Sequence, residues 1–243
     1  MIESSKIQAA RPPFSVTGLK ALIFDLDGTL YRQEPVRRAM AWRILRAHLC
    51  HPIQGLSTVR VLQAYRRAQE TLRLTGVSGD PLAQQIRVAA QNCNRGESEV
   101  QLRVARWSGQ AMDLLPRALR PGLVELLQLA REKGMLLGVL SDYPAEDKLC
   151  AMGLRNYFDV VVSASDPEVQ CFKPSPRGLE IILRRLGLEK HEALYIGDRP
   201  QVDGAAAAAV SVRCAILASS QNQQGTWWEI SGFDELSNAF RAP

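Results

Sequence analysis

Long hydrophobic runs are missing from this chain: none of its 243 residues sit in an apolar stretch near the roughly 18 to 20 residues needed to cross a bilayer. The longest candidates, 135–140 and 205–210, have the length of core elements, which excludes a membrane-spanning reading. Paired cysteines are missing too. Cys50, Cys93, Cys150, Cys171 and Cys214 are odd in number and show no C-x-x-C spacing, so neither a disulfide framework nor a zinc knuckle is expected. His48, Cys50 and His51 come closest to a metal cluster, but on a helix positions 48 and 50 face different sides and no second ligand group follows; packing or solvated side chains are expected there. Residues 1–18 contain Lys6, Arg11, Pro12 and Pro13 and no apolar stretch of signal-peptide length, so they read as a loose extension of a cytoplasmic chain.

What is present is an ordinary globular composition, 46% hydrophobic and 23% charged, long enough for one full core with a smaller second body. The net charge of +5 is unevenly spread. Residues 31–115 hold thirteen Arg, no Lys and six acids, a local excess of +7, so the rest of the chain sums to −2. Periodicity divides the chain in the same place. Ala21, Leu22, Ile23 and Phe24 form a continuous apolar run of the kind a parallel sheet buries on both faces. From about Val36 to Leu114 apolar residues recur at helical spacing, as at Leu56, Val59, Leu62 and Leu72, with breaks at Pro52, 76–81 and Gly96, which predicts roughly four helices. After Pro116 helices over 121–133, 144–152, 175–186 and 203–209 alternate with strands over 135–140, 158–162, 193–196 and 212–217. With right-handed crossovers this predicts an α/β fold: a doubly wound, Rossmann-like parallel sheet from 19–30 and 116–243, with a helical insertion over 31–115. Residues 219–226 read as a loop, and 227–240 as a last element, including Trp227 and Trp228, packed on the core.

In open sheets of this kind ligands sit beyond the carboxyl ends of the strands. The first strand runs into Asp25, Leu26, Asp27, Gly28, Thr29 and Leu30; the second into Ser141 and Asp142; the fourth into Gly197 and Asp198, with Asp203 following. Lys173 and Pro174 follow the third. Taken singly, an Asp or Ser at a strand end is ordinary turn chemistry. Together, carboxylates, one hydroxyl and one ammonium converge on one sheet edge, a gathering that needs a cation to offset repulsion. Carboxylate oxygens without His suit Mg²⁺, which shares its coordination sphere with phosphate.

These segments, D-L-D-G-T-L at 25–30, L-S-D at 140–142, F-K-P at 172–174 and G-D-R-P-Q-V-D at 197–203, resemble in order and spacing the four motifs of the haloacid dehalogenase (HAD) superfamily. The resemblance covers about 20–217, and the insertion is similar to the helical cap of the subgroup with phosphoglycolate phosphatase and beta-phosphoglucomutase. It implies Asp25 as nucleophile forming an aspartyl-phosphate, and Asp27 as the acid that protonates the leaving alcohol and then the base that activates water. Ser141, Lys173 and backbone N–H groups after Asp25 would neutralise phosphoryl charge. Asp25 and Asp198 would hold Mg²⁺ directly, with the main-chain carbonyl of Asp27 as a third ligand and Asp203 supporting the site. The haloalkanoate dehalogenases lack the second aspartate, so Asp27 argues against carbon–halogen cleavage. Asp142 departs from the Asn of many capped relatives; an acid so near a phosphate repels it unless it turns away or pairs with an arginine.

The arginine-rich insertion admits three readings: solvated helix faces, a few arginines facing the site mouth to hold an anionic substrate, or nucleic-acid binding, against which stands the lack of aromatic interleaving or a reader motif. The expected activity is Mg²⁺-dependent hydrolysis of a small phosphate monoester. A phosphomutase using the same pair of aspartates is the alternative, and a non-catalytic binding protein the third. The expected partner is a small anionic phosphorylated substrate, with neither nucleic acid nor membrane, and oligomeric state is open.

Overall fold

The computed structural model describes residues 15–217 and 227–241. The first fourteen residues and the expected loop at 219–226 lie outside the described residues. The fold class follows the sequence reading. Strand β1 (Ala21–Asp25) lies at the centre, with β2 (Leu136–Ser141) and β3 (Val160–Ser163) on one side and β4 (Ala193–Gly197), β5 (Arg213–Leu217) and β6 (Trp228–Ile230) on the other. The sheet order is β3-β2-β1-β4-β5-β6 and every pairing is parallel.

All five side chains of β1 are buried because both sheet faces are covered. The two-residue period divides them: Leu22 and Phe24 enter one hydrophobic cluster, Ala21 and Ile23 the other. On the first face Phe24 meets Phe158 and Phe233 edge-on, each at 6.1 Å between centroids, beneath helices α5 (Leu123–Glu132) and α9 (Phe233–Arg241). The second face packs under α7 (Arg177–Leu186) and α8 (Ala205–Val210). The short helix α6 (Glu146–Ala151) follows β2.

Between β1 and α5 run helices α1 (Gln33–Ala47), α2 (Pro52–Thr75), α3 (Pro81–Cys93) and α4 (Glu97–Gly109), broken where Pro52, 76–81 and Gly96 predict. Asp80 caps α3, its carboxylate accepting from the Leu82 N–H at 2.9 Å, and Pro81 opens the helix. Three of these helices share a small core of their own, built from Val61, Ala64, Ala68, Ala89, Ala90 and Val100. Small side chains there allow α2 and α3 to approach closely. His48 packs at the α1–α2 turn, 3.4 Å from the Thr58 hydroxyl and beside Trp107. It is a packing residue, as expected, and Cys50 is exposed.

The differences from expectation are at element ends. Pro121, Pro144 and Ser175 lie two residues before their helices, which begin at Leu123, Glu146 and Arg177. The helix expected from Asp203 is preceded by a wider π-type turn over Pro200–Gly204 and proceeds as α8. The closing segment contributes a strand as well as a helix: β6 pairs Trp228 with Ala215 and Ile230 with Leu217.

Candidate active site

The carboxyl ends of β1, β2 and β4, and the loop after β3, bring the predicted residues together. Asp25 ends β1 and is buried. The Thr29 hydroxyl donates to its Oδ2 at 2.8 Å, and the Lys173 ammonium donates to its Oδ1. The same ammonium donates to Asp203 Oδ1 at 2.7 Å and to the Tyr195 hydroxyl at 3.1 Å, while Tyr195 donates to Asp203 Oδ1 at 2.8 Å. The second Asp203 oxygen accepts from the backbone N–H groups of Asp198 at 3.3 Å and Arg199 at 3.0 Å. Both oxygens of Asp203 are thus committed to holding Lys173 and the β4 loop, which makes it a hub beneath the site.

Asp25, Asp198 and Asp203 offer carboxylate oxygens within 4.8 Å of one another. Asp198 Oδ1 is buried and has no hydrogen-bond partner. Three acids against one ammonium leave negative charge uncompensated, and the group reports it: burial, then Asp203 and Asp198, push Asp25 up to about 8, although Lys173 opposes them. Asp198 is raised by burial and by Asp203. Burial works against the Lys173 charge, yet Asp203 and Asp25 outweigh it and hold this lysine well above its ordinary value. A hard divalent cation fits this donor set, since it would give the orphaned Asp198 oxygen a partner and offset the acidic excess.

Gly28 allows the close approach. Its φ is +108°, and a Cβ there would stand 2.1 Å from Asp198 Oδ2. The loop after β1 is fixed by Arg120, whose Nε and Nη2 donate to the Gly28 carbonyl at 2.9 and 2.7 Å.

Asp27 lies outside this carboxylate cluster. Lys148 of α6 donates to both its oxygens at 2.6 Å, and the Tyr31 hydroxyl donates to Oδ1 at 2.5 Å. Burial alone would raise its pKa, but Lys148 prevails and the carboxyl is lowered. Its main-chain carbonyl accepts from Gln33 Nε2, which leaves one lone pair for another partner. Ser141 is buried, and its hydroxyl oxygen accepts from the Tyr143 N–H at 3.2 Å, leaving the hydroxyl proton to donate. Asp142, the residue in question, pairs with an arginine: Arg73 of α2 donates to Oδ2.

Lys148, Tyr195, Tyr31, Gln33 and Arg73 were not singled out from sequence. Tyr31 had a usable signal, standing four residues beyond Asp27 at the close of the first motif, and Tyr195 is the one polar-tipped side chain in the strand A-L-Y-I-G. Lys148 reaches Asp27 across 121 residues and Arg73 reaches Asp142 across 69, with no local pattern to mark either.

The sequence profile of the haloacid dehalogenase-like hydrolase family matches residues 19–211. The chain belongs to that family. Among curated relatives, phosphoglycolate phosphatase 1 of Pseudomonas aeruginosa is 28% identical over 221 residues, covering 88% of this chain and 75% of the relative. The fructose-1-phosphate phosphatase of Escherichia coli is 29% identical over 183 residues, covering 73% and 85%. Among solved structures, a magnesium-bound HAD-hydrolase from Bacillus subtilis superposes with a TM-score of 0.66 at 15% identity, covering 92% of this chain and 99% of that one. L-2-haloacid dehalogenase from Xanthobacter autotrophicus superposes with 0.65 at 17% identity, covering 92% and 99%. Those two likenesses concern the fold. This HAD-like chain is a hydrolase, and by the curated relatives it resembles a phosphoric monoester hydrolase. No helix among the described residues is long and apolar enough to cross a membrane.

Proposed function

We propose that this HAD-like hydrolase is a Mg²⁺-dependent phosphatase of a small phosphate monoester, working through an aspartyl-phosphate on Asp25. The observation that carries the reading is the cluster of buried Asp25 and Asp203 with half-buried Asp198, into which Lys173 is hydrogen-bonded. Asp25 and Asp198, with the free lone pair of the Asp27 carbonyl, would hold the cation, and Asp203 supports them through Lys173 and the β4 backbone. When bound, Mg²⁺ supplies positive charge that keeps Asp25 ionised and offsets charge on the phosphoryl oxygens.

In this reading the Asp25 carboxylate oxygen not held by Lys173 attacks phosphorus, and the ester oxygen leaves with a proton from Asp27. The second half replaces the alcohol by water, whose proton returns to Asp27 as its oxygen displaces Asp25. The Lys148 and Tyr31 contacts hold Asp27 as a carboxylate, the form that accepts the water proton. Its acid turn requires the same carboxyl protonated and released from Lys148. Lys173 and the Ser141 hydroxyl face the equatorial charge.

Residues 31–115 would act as the cap over a core of 19–30 and 116–243, excluding bulk water during transfer. We assign Arg37 of the cap to the mouth: its guanidinium donates to Gln33, whose amide donates to the Asp27 carbonyl, and it feels both Asp198 and Arg66. It would hold the non-reacting part of an anionic substrate. The test is a panel of phosphorylated metabolites with and without Mg²⁺, headed by phosphoglycolate and sugar 1-phosphates because relatives carry those names. Free phosphate released in step with substrate loss is expected; isomerised sugar phosphate without release would make the protein a mutase instead.

A further inference from the structure

Asp142 is a buried carboxylate next to a site meant for phosphate, and its hydrogen bonds show how that is tolerated. Oδ1 accepts from the Lys173 backbone N–H at 3.0 Å. Oδ2 accepts from Arg73, and from Gln69 Nε2 at 3.4 Å. Arg73 also donates to Glu70 at 2.5 Å, and Glu70 accepts both terminal nitrogens of Arg199, at 3.0 and 3.2 Å. Charges alternate along this chain of contacts: Asp142, Arg73, Glu70, Arg199.

Gln69 and Arg73 are four residues apart and Glu70 and Arg73 three, so little more than one turn of α2 touches the loops after β2, β3 and β4. The Arg73 side chain is 7% exposed and that of Asp142 is 8%. Both terminal nitrogens of Arg73 donate to carboxylates, one to Glu70 and one to Asp142, while its buried Nε has no hydrogen-bond partner; the contacts that the guanidinium does make tie it to Asp142.

We propose that Arg73 is a positioning residue that makes the productive placement of Lys173 depend on the cap being docked. With α2 in place, Arg73 cancels the Asp142 charge beside the phosphate site, and the saturated Asp142 fixes the backbone from which Lys173 reaches Asp25. With α2 withdrawn, Asp142 is an uncompensated acid that repels the incoming phosphate and competes for the Lys173 ammonium. The catalytic half of this inference rests on the phosphatase reading above; the structural half does not.

The test uses the full chain as Arg73→Met, Asp142→Asn and the double variant, with kcat and KM on the best substrate of the panel, thermal melting, and amide exchange at Lys173. Arg73→Met is expected to lose about 10²-fold in kcat/KM because it strands a buried charge. Adding Asp142→Asn removes that charge while its carbonyl still accepts from Lys173, and should restore at least about tenfold. A double variant as impaired as Arg73→Met would overturn the proposal, because an arginine that binds substrate gives no such rescue. Lys173 amide exchange should accelerate in Arg73→Met; unchanged exchange in a folded protein would also overturn it. Should Arg73→Met not fold, Glu70→Gln at its exposed position must show a smaller acceleration, and none would be contrary. If the wild type hydrolyses nothing on the panel, the phosphatase reading fails and the exchange result still decides the role of Arg73.

Discussion

At position 28 a hydrogen atom stands where any other residue would put a carbon 2.1 Å from an Asp198 oxygen. Gly28→Ala should therefore cost stability, about 1–3 kcal/mol for the left-handed backbone alone, and lower activity by displacing Asp198. Thermal melting and turnover measure the two effects. The carboxylates divide the chemistry between them, and their variants should differ in kind. Asp25→Asn should abolish turnover because its amide is no nucleophile; near wild-type turnover would remove the mechanism. Asp27→Asn should slow turnover by roughly 10² to 10⁴ while leaving ligand binding intact, as a binding assay with a non-hydrolysable ester would show. Asp25, Ser141 and Asp198 were legible because each ends or directly follows a buried strand, and Asp27, Lys173 and Asp203 because they stand in motifs of fixed order after those strands. Lys148 was not, because a lone lysine on a short helix reads as solvated until the fold lays it across Asp27. Asp142 was legible as an anomaly, and the arginine it needed was one of thirteen in the insertion.

Helix α2 works at both of its faces. Ala64 and Ala68 let α3 approach, and the turn from Gln69 to Arg73 meets the loops of the sheet. Small residues at such a seam leave no room for growth. Ala89, fully buried on α3, replaced by Leu should destabilise by about 1–3 kcal/mol through overpacking, seen as a lower melting temperature, with little change in the chemistry once folded. Elements were readable wherever a period ran long enough: the helices from α1 to α4 fall between the proline and glycine breaks, and β1 is an apolar run closed by Asp25. Ends were less readable, since Pro121, Pro144 and Ser175 stand in the segments that lead into helices and not in the helices themselves. Strand β6 is three residues long, too short for any period, and is a strand only because β5 presents an open edge to it.

The molecule as a whole is a parallel sheet that gathers acid at one edge beneath an arginine-rich insertion, so local charge, and not the modest net charge, describes it. If the acidic edge takes up Mg²⁺ only when folded, the ion should stabilise the chain, by about 2.7 kcal/mol at a hundred times its dissociation constant. Melting with Mg²⁺ against chelator should show the rise in wild type and lose it in Asp198→Asn. The most direct test of the account is a crystal structure grown with magnesium and trifluoroberyllate. The account predicts beryllium bonded to an Asp25 oxygen, with the cation touching Asp25 and Asp198 and Lys173 against the fluorides. Beryllium on another side chain, or a cation seated away from these two aspartates, would contradict it.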